Sequence, residues 1–137
     1  MASGRREVAI VSFVQAPSVR RERDLNDVEM LMPVVNEAIE RAGVPRSRIG
    51  FTCSGSSDLL TGQPFSFVAA LDAIGAWPPI VESHVEMDAA WALYEAWVRM
   101  QHEEIDAALV YGFGRSSLGV LPDVLALQLD PYYLGPL

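Results

Sequence analysis

The sequence contains no lysine, so all ten of its cationic side chains are arginines. Covalent catalysis through a Schiff base requires a lysine amine, and that route is therefore excluded for this chain. The only cysteine is Cys53, which excludes an internal disulfide and a zinc site built from several cysteines. We expect Cys53 to be a small buried hydrophobic residue rather than a reactive thiol.

Positive charge and long apolar runs are also scarce. The net charge of −8 argues against nucleic acid as a partner, because the one cationic group, Arg20, Arg21 and Arg23, reads as a solvated loop. Charges or prolines interrupt every apolar run before it reaches the length needed to span a membrane. No secretory signal is recognisable at the start of the sequence. We therefore expect one compact domain in a soluble, cytoplasmic protein.

Hydrophobic patterning predicts the first strand and the first helix. Residues 8–14 are almost continuously apolar and β-branched, which predicts a strand buried on both faces at the centre of a parallel or mixed sheet. A helix is predicted to begin at Asn26 or Asp27, either of which offers an N-cap, and to end at Gly43. Pro33 inside this segment predicts a bent or distorted turn.

Two shorter elements follow. Residues 49–53 predict a second strand, and the small residues 54–57 (Ser-Gly-Ser-Ser) predict a turn after it. This turn has the composition of a phosphate cradle but lacks the lysine and the spacing of a P-loop, so an ordinary strand-end loop is the favoured interpretation. Residues 65–74 predict a short helix that stops at Gly75, before a Trp-Pro-Pro turn.

The stretch from Pro78 to Trp91 is the centre of the functional prediction. Two prolines precede a strand from Ile80 to Val85, which runs without a glycine linker into an unusually apolar helix over residues 87–104, expected to pack on several sides. Such a junction presents free N–H groups and the positive end of a helix dipole at the carboxyl edge of a sheet. Glu86 occupies this junction and should decide the chemistry.

The remaining chain completes the predicted architecture. Residues 105–111 predict a last strand that ends in a glycine-containing turn, and the proline-punctuated tail contains one short helical run at 124–128. The order β-α-β-α-β-α-β predicts an α/β domain in which helices cover both faces of a layered, largely parallel or mixed sheet.

The last strand also carries a family resemblance. Residues 106–119, Asp-Ala-Ala-Leu-Val-Tyr-Gly-Phe-Gly-Arg-Ser-Ser-Leu-Gly, resemble the strand and glycine turn that close the first half of thiolases, especially the sterol-carrier and lipid-transfer thiolases. The elements before it match the family in order, so the resemblance covers nearly the whole chain. It implies a thiolase-like N-terminal half over residues 1–117, the start of a loop region over 118–137, and a chain that is a fragment of a longer protein or receives its second half elsewhere.

The resemblance implies acyl-CoA thioesters as substrates, with no separate cofactor, but it places Glu86 where a thiolase has its nucleophilic cysteine. A carboxylate is a poor nucleophile towards thioesters, so thiolytic acyl transfer is not expected. The chain is most similar to actinobacterial lipid-transfer thiolase homologues without that cysteine, some of which are steroid side-chain aldolases that work with a small partner protein. The implied reaction is retro-aldol cleavage of a carbon–carbon bond in lipid or steroid degradation.

Two residues near the junction are the candidate catalytic groups. Glu86 could exchange a proton with a β-hydroxyl group, or Glu86 or Asp88 could simply cap the following helix. His84 projects from the same face of the strand as Glu86, but the chain is expected to turn at this point, which predicts an awkward pairing and favours a structural or interface role for His84.

Other positions follow from the resemblance. The strand from Ile80 to Val85 pairs with its twofold mate in the family, which implies a homo- or hetero-oligomer that buries Glu82, Ser83 and His84. Tyr132 and Tyr133 would contact the acyl chain or merely cover the core, and His102 is given no role. The alternative function is a non-catalytic thiolase-like subunit that completes a heteromer or binds lipid-CoA.

Overall fold

One small parallel sheet organises the structure. The computed structural model describes residues 4–61, 65–75, 81–86, 88–114 and 119–126. Within these ranges the sheet has three strands in the order β2-β1-β3, with β1 at Phe51–Ser56, β2 at Val81–Glu86 and β3 at Ala108–Tyr111. Both neighbours run parallel to β1, so all three carboxyl ends meet at one edge. The chain is therefore an α/β protein with an open parallel sheet.

Five α-helices accompany this sheet in the described ranges: α1 at Asp27–Ala42, α2 at Asp58–Thr61, α3 at Ser66–Ile74, α4 at Ala89–Gln101 and α5 at Leu121–Ala126. The predicted ends of α1 are confirmed. The Asn26 side chain accepts a hydrogen bond from the backbone N–H of Glu29, the Glu29 carboxylate accepts one from the backbone N–H of Asn26, and Gly43 ends the helix in the left-handed conformation. Pro33 lies inside α1, which is continuous through it.

Two apolar clusters place helices on both faces of the sheet. On one face Phe51 and Cys53 of β1 pack against Ala92 and Ala96 of α4. On the other face Tyr111 of β3 packs against α1 and α3. Successive strand residues point to opposite faces, which is why alternate positions of β3 contribute to different clusters. The predicted placement of helices on both faces is confirmed.

The predicted central strand over residues 8–14 is wrong. This segment joins no strand of the described sheet, and Ile10 and Phe13 are 71% and 74% exposed. It is fixed at its start, where Arg6 exchanges backbone hydrogen bonds with the Gln101 side chain and also donates to the Ile105 carbonyl at 3.2 Å. Apolar, β-branched composition shows a tendency to be extended, but not which strand will be the partner. The central position belongs to β1.

The predicted turn at residues 54–57 is also wrong over its first three positions. Ser54, Gly55 and Ser56 belong to β1, and each of them is buried. Small residues are needed here because the chain entering α4 crosses directly over the strand. A Cβ atom on Gly55 would lie 2.3 Å from the backbone oxygen of Asp88. The phosphate-cradle interpretation is therefore excluded.

Helix α4 begins later and ends earlier than predicted, and in this chain it packs through one face. Ala92 and Ala96 are buried, whereas Trp91, Leu93 and Tyr94 are each about half exposed. The prediction that α4 packs on several sides is therefore not met by the described residues. In the part of the chain that the structure describes, no helix has the length and apolar character needed to cross a membrane.

Candidate functional site at the carboxyl edge of the sheet

Glu86 is the last residue of β2, at the carboxyl edge of the sheet, in register with Ser56 of β1. Its carboxylate accepts a hydrogen bond from the backbone N–H of Asp58, at 2.8 Å to Oε1 and 3.1 Å to Oε2. The N-cap of α4 is Asp88, which accepts from the N–H groups of Ala90 and Trp91. The capping alternative therefore holds for Asp88 and is wrong for Glu86.

His84 and Glu86 form a direct pair. The distance between His84 Nε2 and Glu86 Oε2 is 3.1 Å, so the expectation of an awkward pairing is wrong. The reason is that β2 continues through Glu86, which keeps both side chains on one face of a regular strand. The side chain of His84 is only 16% exposed and that of Glu86 is 51% exposed, so the carboxylate is the member that a substrate can reach.

The surroundings of His84 hold its ring in place. The ring stacks on Phe67 of α3 with a 4.8 Å centroid distance, and its buried Nδ1 atom has no hydrogen-bond partner among the described residues. An ionised carboxylate can only accept hydrogen bonds, so in the contact with an ionised Glu86 the Nε2 atom of His84 is the donor.

Asp58 ties the site to the next helix. Its carboxylate accepts hydrogen bonds from the backbone N–H of Phe65 at 2.6 Å, from the backbone N–H of Ser66 at 2.9 Å and from the Ser66 hydroxyl at 2.7 Å. Desolvation raises the pKa of Asp58, but the hydrogen bonds from Ser66 and Phe65 together outweigh it and lower the pKa below its ordinary value. Asp58 is therefore a charged acceptor that holds the start of α3.

A row of buried hydroxyl groups continues from Asp58 under α3. Ser56 Oγ lies 3.1 Å from Ser54 Oγ and 3.5 Å from Ser66 Oγ, and all three serines are buried. Buried polar groups are costly unless they bond to one another, and this row meets that condition. Sequence reasoning missed Asp58 and Ser66 entirely. No signal in the sequence links either of them to Glu86, because the connection exists only through the fold.

Asp58, His84 and Glu86 are the described residues that could hold a metal ion, since one ligand atom from each lies within 4.8 Å of the others. Both carboxylates already accept hydrogen bonds. The Asp58 carboxylate accepts three hydrogen bonds, and Glu86 accepts from Asp58 and His84. A cation would have to displace these donors, and no described residue offers the Nδ1 of His84 an acceptor of the kind that usually orients a metal-bound imidazole. The cluster fits a hydrogen-bonded network better than a metal centre.

The other predicted residues lie away from this network or outside the described ranges. Cys53 is fully buried on the opposite face of β1, where desolvation is the main cause that raises its pKa to about 11. The prediction that Cys53 is buried is confirmed. Its lack of reactivity stays a prediction. Glu82 and Ser83 lie on β2, whose outer edge is unpaired within the described residues. Tyr132 and Tyr133 fall outside the described residues.

Comparison with known proteins adds no family assignment. No family model matches the chain, and no curated protein matches it. The resemblance to thiolases therefore depends on the residues of the chain alone.

Proposed function

We propose that this chain is the thiolase-like N-terminal half of a carbon–carbon lyase that acts on acyl-CoA thioesters in lipid or steroid side-chain degradation. The observation that carries the proposal is the His84–Glu86 pair, 3.1 Å apart at the carboxyl edge of a parallel sheet. Ligands of open α/β sheets bind outside this edge, and a carboxylate held there by an imidazole is suited to proton transfer. The thioester itself is the activated substrate, so no separate cofactor is invoked.

The chemistry requires one proton acceptor and no thiol. Glu86 removes the proton from the β-hydroxyl group of a β-hydroxyacyl-CoA, and the oxygen electrons form a carbonyl as the bond between Cα and Cβ breaks. The electron pair of that bond moves to Cα, as the enolate of the shortened acyl-CoA. Protonated Glu86 then returns its proton to Cα. His84 Nε2 donates to the carboxylate and keeps it oriented throughout this cycle.

The assembly and location belong to the proposal as well. No described strand pairs with the outer edge of β2, which supports a homo- or hetero-oligomer in which the equivalent strand of a second subunit continues the sheet. A layered thiolase-like fold would arise when the second half, in the same longer chain or in a partner, covers α4. We place the enzyme in the cytoplasm, where acyl-CoA substrates are available.

Product analysis tests the reaction. The full-length protein is incubated with β-hydroxyacyl-CoA substrates, alone and with candidate partner subunits, and the products are identified by mass spectrometry. The proposal expects a free carbonyl compound and a shortened acyl-CoA in equal amounts, with no requirement for added CoA. Failure to cleave with any partner, or cleavage that depends on free CoA, would contradict it.

A non-catalytic role is the second candidate, and the exposed aromatic face of α4 supports it. Trp91 and Tyr94 are 51% and 55% exposed and lie on a helix that packs through small alanines on its other side. Exposed apolar surface of this kind is typical of an interface with another protein. In this alternative the chain completes a heteromer or holds lipid-CoA for a catalytic subunit.

Co-purification separates the two candidates. The non-catalytic subunit requires a different protein in stoichiometric amount, which native mass measurement of the purified assembly would reveal. A homo-oligomer that cleaves β-hydroxyacyl-CoA on its own would exclude this alternative. An inactive assembly that still binds lipid-CoA would favour it over the lyase.

A further inference from the structure

We propose that Asp58 is a positioning residue for Glu86, and that the first turn of α3 closes a ring of contacts around the His84–Glu86 pair. This inference rests on the proposed function for its catalytic meaning, although the ring itself is a structural feature that can be tested separately. Asp58 does not touch the reacting atoms in this scheme. It acts through Glu86.

The first half of the ring runs from α3 to Glu86 through Asp58. Phe65 and Ser66, at the start of α3, donate three hydrogen bonds to the Asp58 carboxylate. The backbone N–H of Asp58 then donates to both oxygens of Glu86, which gives the carboxylate a second contact besides His84. Since charge-assisted hydrogen bonds are short and directional, this link restricts where the carboxylate can lie.

The second half of the ring runs from Glu86 back to α3 through His84. His84 donates to Glu86 Oε2, and its ring stacks on Phe67 with planes only 17° apart. Phe67 follows Ser66 directly in the first turns of α3. The same short segment therefore holds the Asp58 carboxylate through its backbone N–H groups and the His84 imidazole through an aromatic side chain.

The backbone at the start of α3 supports this view. Phe65 has φ 54° and ψ 42°, a left-handed conformation that is unusual for a bulky residue without glycine's freedom. Its N–H points at Asp58 Oδ2 at 2.6 Å in this conformation. Strained conformations of this kind persist only where surrounding contacts over-determine them, and the ring supplies such contacts.

Removing the Asp58 side chain should open the ring at one place. The catalytic pair would remain present but would lose its fixed geometry, which affects turnover more than substrate binding. We expect kcat of Asp58→Ala to fall about 100-fold, the size of loss that a displacement of about 1 Å can cause, while KM changes by less than about threefold. Asp58→Asn keeps one acceptor oxygen and should recover part of the loss.

The experiment compares these variants in the full-length protein with Asp72→Ala as the matched control. Asp72 is an exposed carboxylate on the same helix, so its removal changes the charge of α3 without touching the ring. A second measurement needs no activity: the ¹⁵N chemical shift of His84 Nε2 in the same full-length protein. Ser66→Ala, which removes one of the three donors, serves if Asp58→Ala does not fold.

The ring predicts a specific pattern of results. Asp58→Ala and Ser66→Ala should shift the His84 signal, whereas Asp72→Ala should not. Asp58→Ala and Phe67→Leu should combine to less than the product of their separate fold-losses in kcat, because either change alone opens the ring. The proposal is overturned if Asp58→Ala and Asp72→Ala give the same His84 chemical shift and the same kcat. If no lyase activity exists at all, the proposed function fails while the His84 signal still decides whether the ring is real.

Discussion

Gly55 is the position where a single added methyl group should damage the fold most. An alanine Cβ there would lie 2.3 Å from the backbone oxygen of Asp88, 2.4 Å from its carbonyl carbon and 2.6 Å from the Cα of Ala89. All three are backbone atoms, which cannot rotate away as a side chain would. Overpacking of this kind costs about 1–3 kcal/mol, and we expect the upper end, about 3 kcal/mol. For a domain of this size that corresponds to a fall in Tm of about 12 °C.

The neighbourhood offers no easy relief. Gly112 at the end of β3 is also tight, since a Cβ there would lie 2.7 Å from the backbone oxygen of Gly55 and 3.0 Å from the Cβ of Ala89. The segment entering α4 is therefore held between the ends of β1 and β3. Any shift of this segment also moves the residues next to Glu86, so Gly55→Ala should disturb the candidate site together with the fold.

Gly50→Ala is the matched control. It precedes the same strand, and an added Cβ there meets nothing within 4 Å. It should be neutral or should stabilise the protein by up to about 1 kcal/mol, because alanine reduces the freedom of the unfolded chain. Urea unfolding of both variants, followed by circular dichroism, measures the difference. Equal stability of Gly55→Ala and Gly50→Ala would refute the close approach of α4 to β1.

Three further predictions follow from individual side chains. Asp88→Ala removes the N-cap of α4 and should cost about 1 kcal/mol in urea unfolding, whereas the exposed Asp72→Ala should change stability by less than about 0.5 kcal/mol. Cys53 should resist alkylation by iodoacetamide at neutral pH until denaturant is added, because it is buried and its pKa is raised to about 11; rapid labelling of the folded protein would contradict this. The pKa of Asp58 is lower in the folded protein than its ordinary value of 3.8, so its ionised carboxylate stabilises the fold above pH 3.8, and this stabilisation is lost as the pH falls through the lower folded pKa. The free energy of unfolding of the wild type, measured as a function of pH, should show this loss. The same measurement on Asp58→Asn should not show it.

The ends of the helices could be predicted from sequence because local contacts determine them. The capping box of Asn26 and the left-handed Gly43 involve residues within a few positions of each other, so their signals are present in the chain itself. Gly75 ends α3 in the same way. Alternation of apolar segments also predicted the α/β class correctly, as well as helices on both faces of the sheet.

Strand positions could not be predicted as well because they depend on distant partners. Ser54, Gly55 and Ser56 have the composition of a turn, yet pairing with β2 extends β1 through all three of them. The opposite error occurred at residues 8–14, where strand-like composition finds no partner in the described sheet. Local propensity gives only a weak indication when pairing and burial decide the outcome.

The candidate site was predicted in part. The sequence indicated Glu86 as the residue at the junction and identified His84 as its neighbour, but it placed the end of the strand one residue too early. That difference decides whether the two side chains share one regular face, and they do. Asp58 was missed because it lies 28 residues before Glu86 in the chain, and only the parallel pairing of β1 and β2 brings them together.

The proton-transfer role of Glu86 is tested most directly by the cleavage rate of Glu86→Gln at saturating β-hydroxyacyl-CoA, measured in the full-length protein beside Asp72→Asn. Both variants remove one exposed carboxylate, but only Glu86 is paired with His84. General base catalysis contributes about 10²–10⁴-fold, so kcat of Glu86→Gln should fall by at least about 100-fold while Asp72→Asn keeps most of its rate. Equal rates for Glu86→Gln and the wild type would contradict the account.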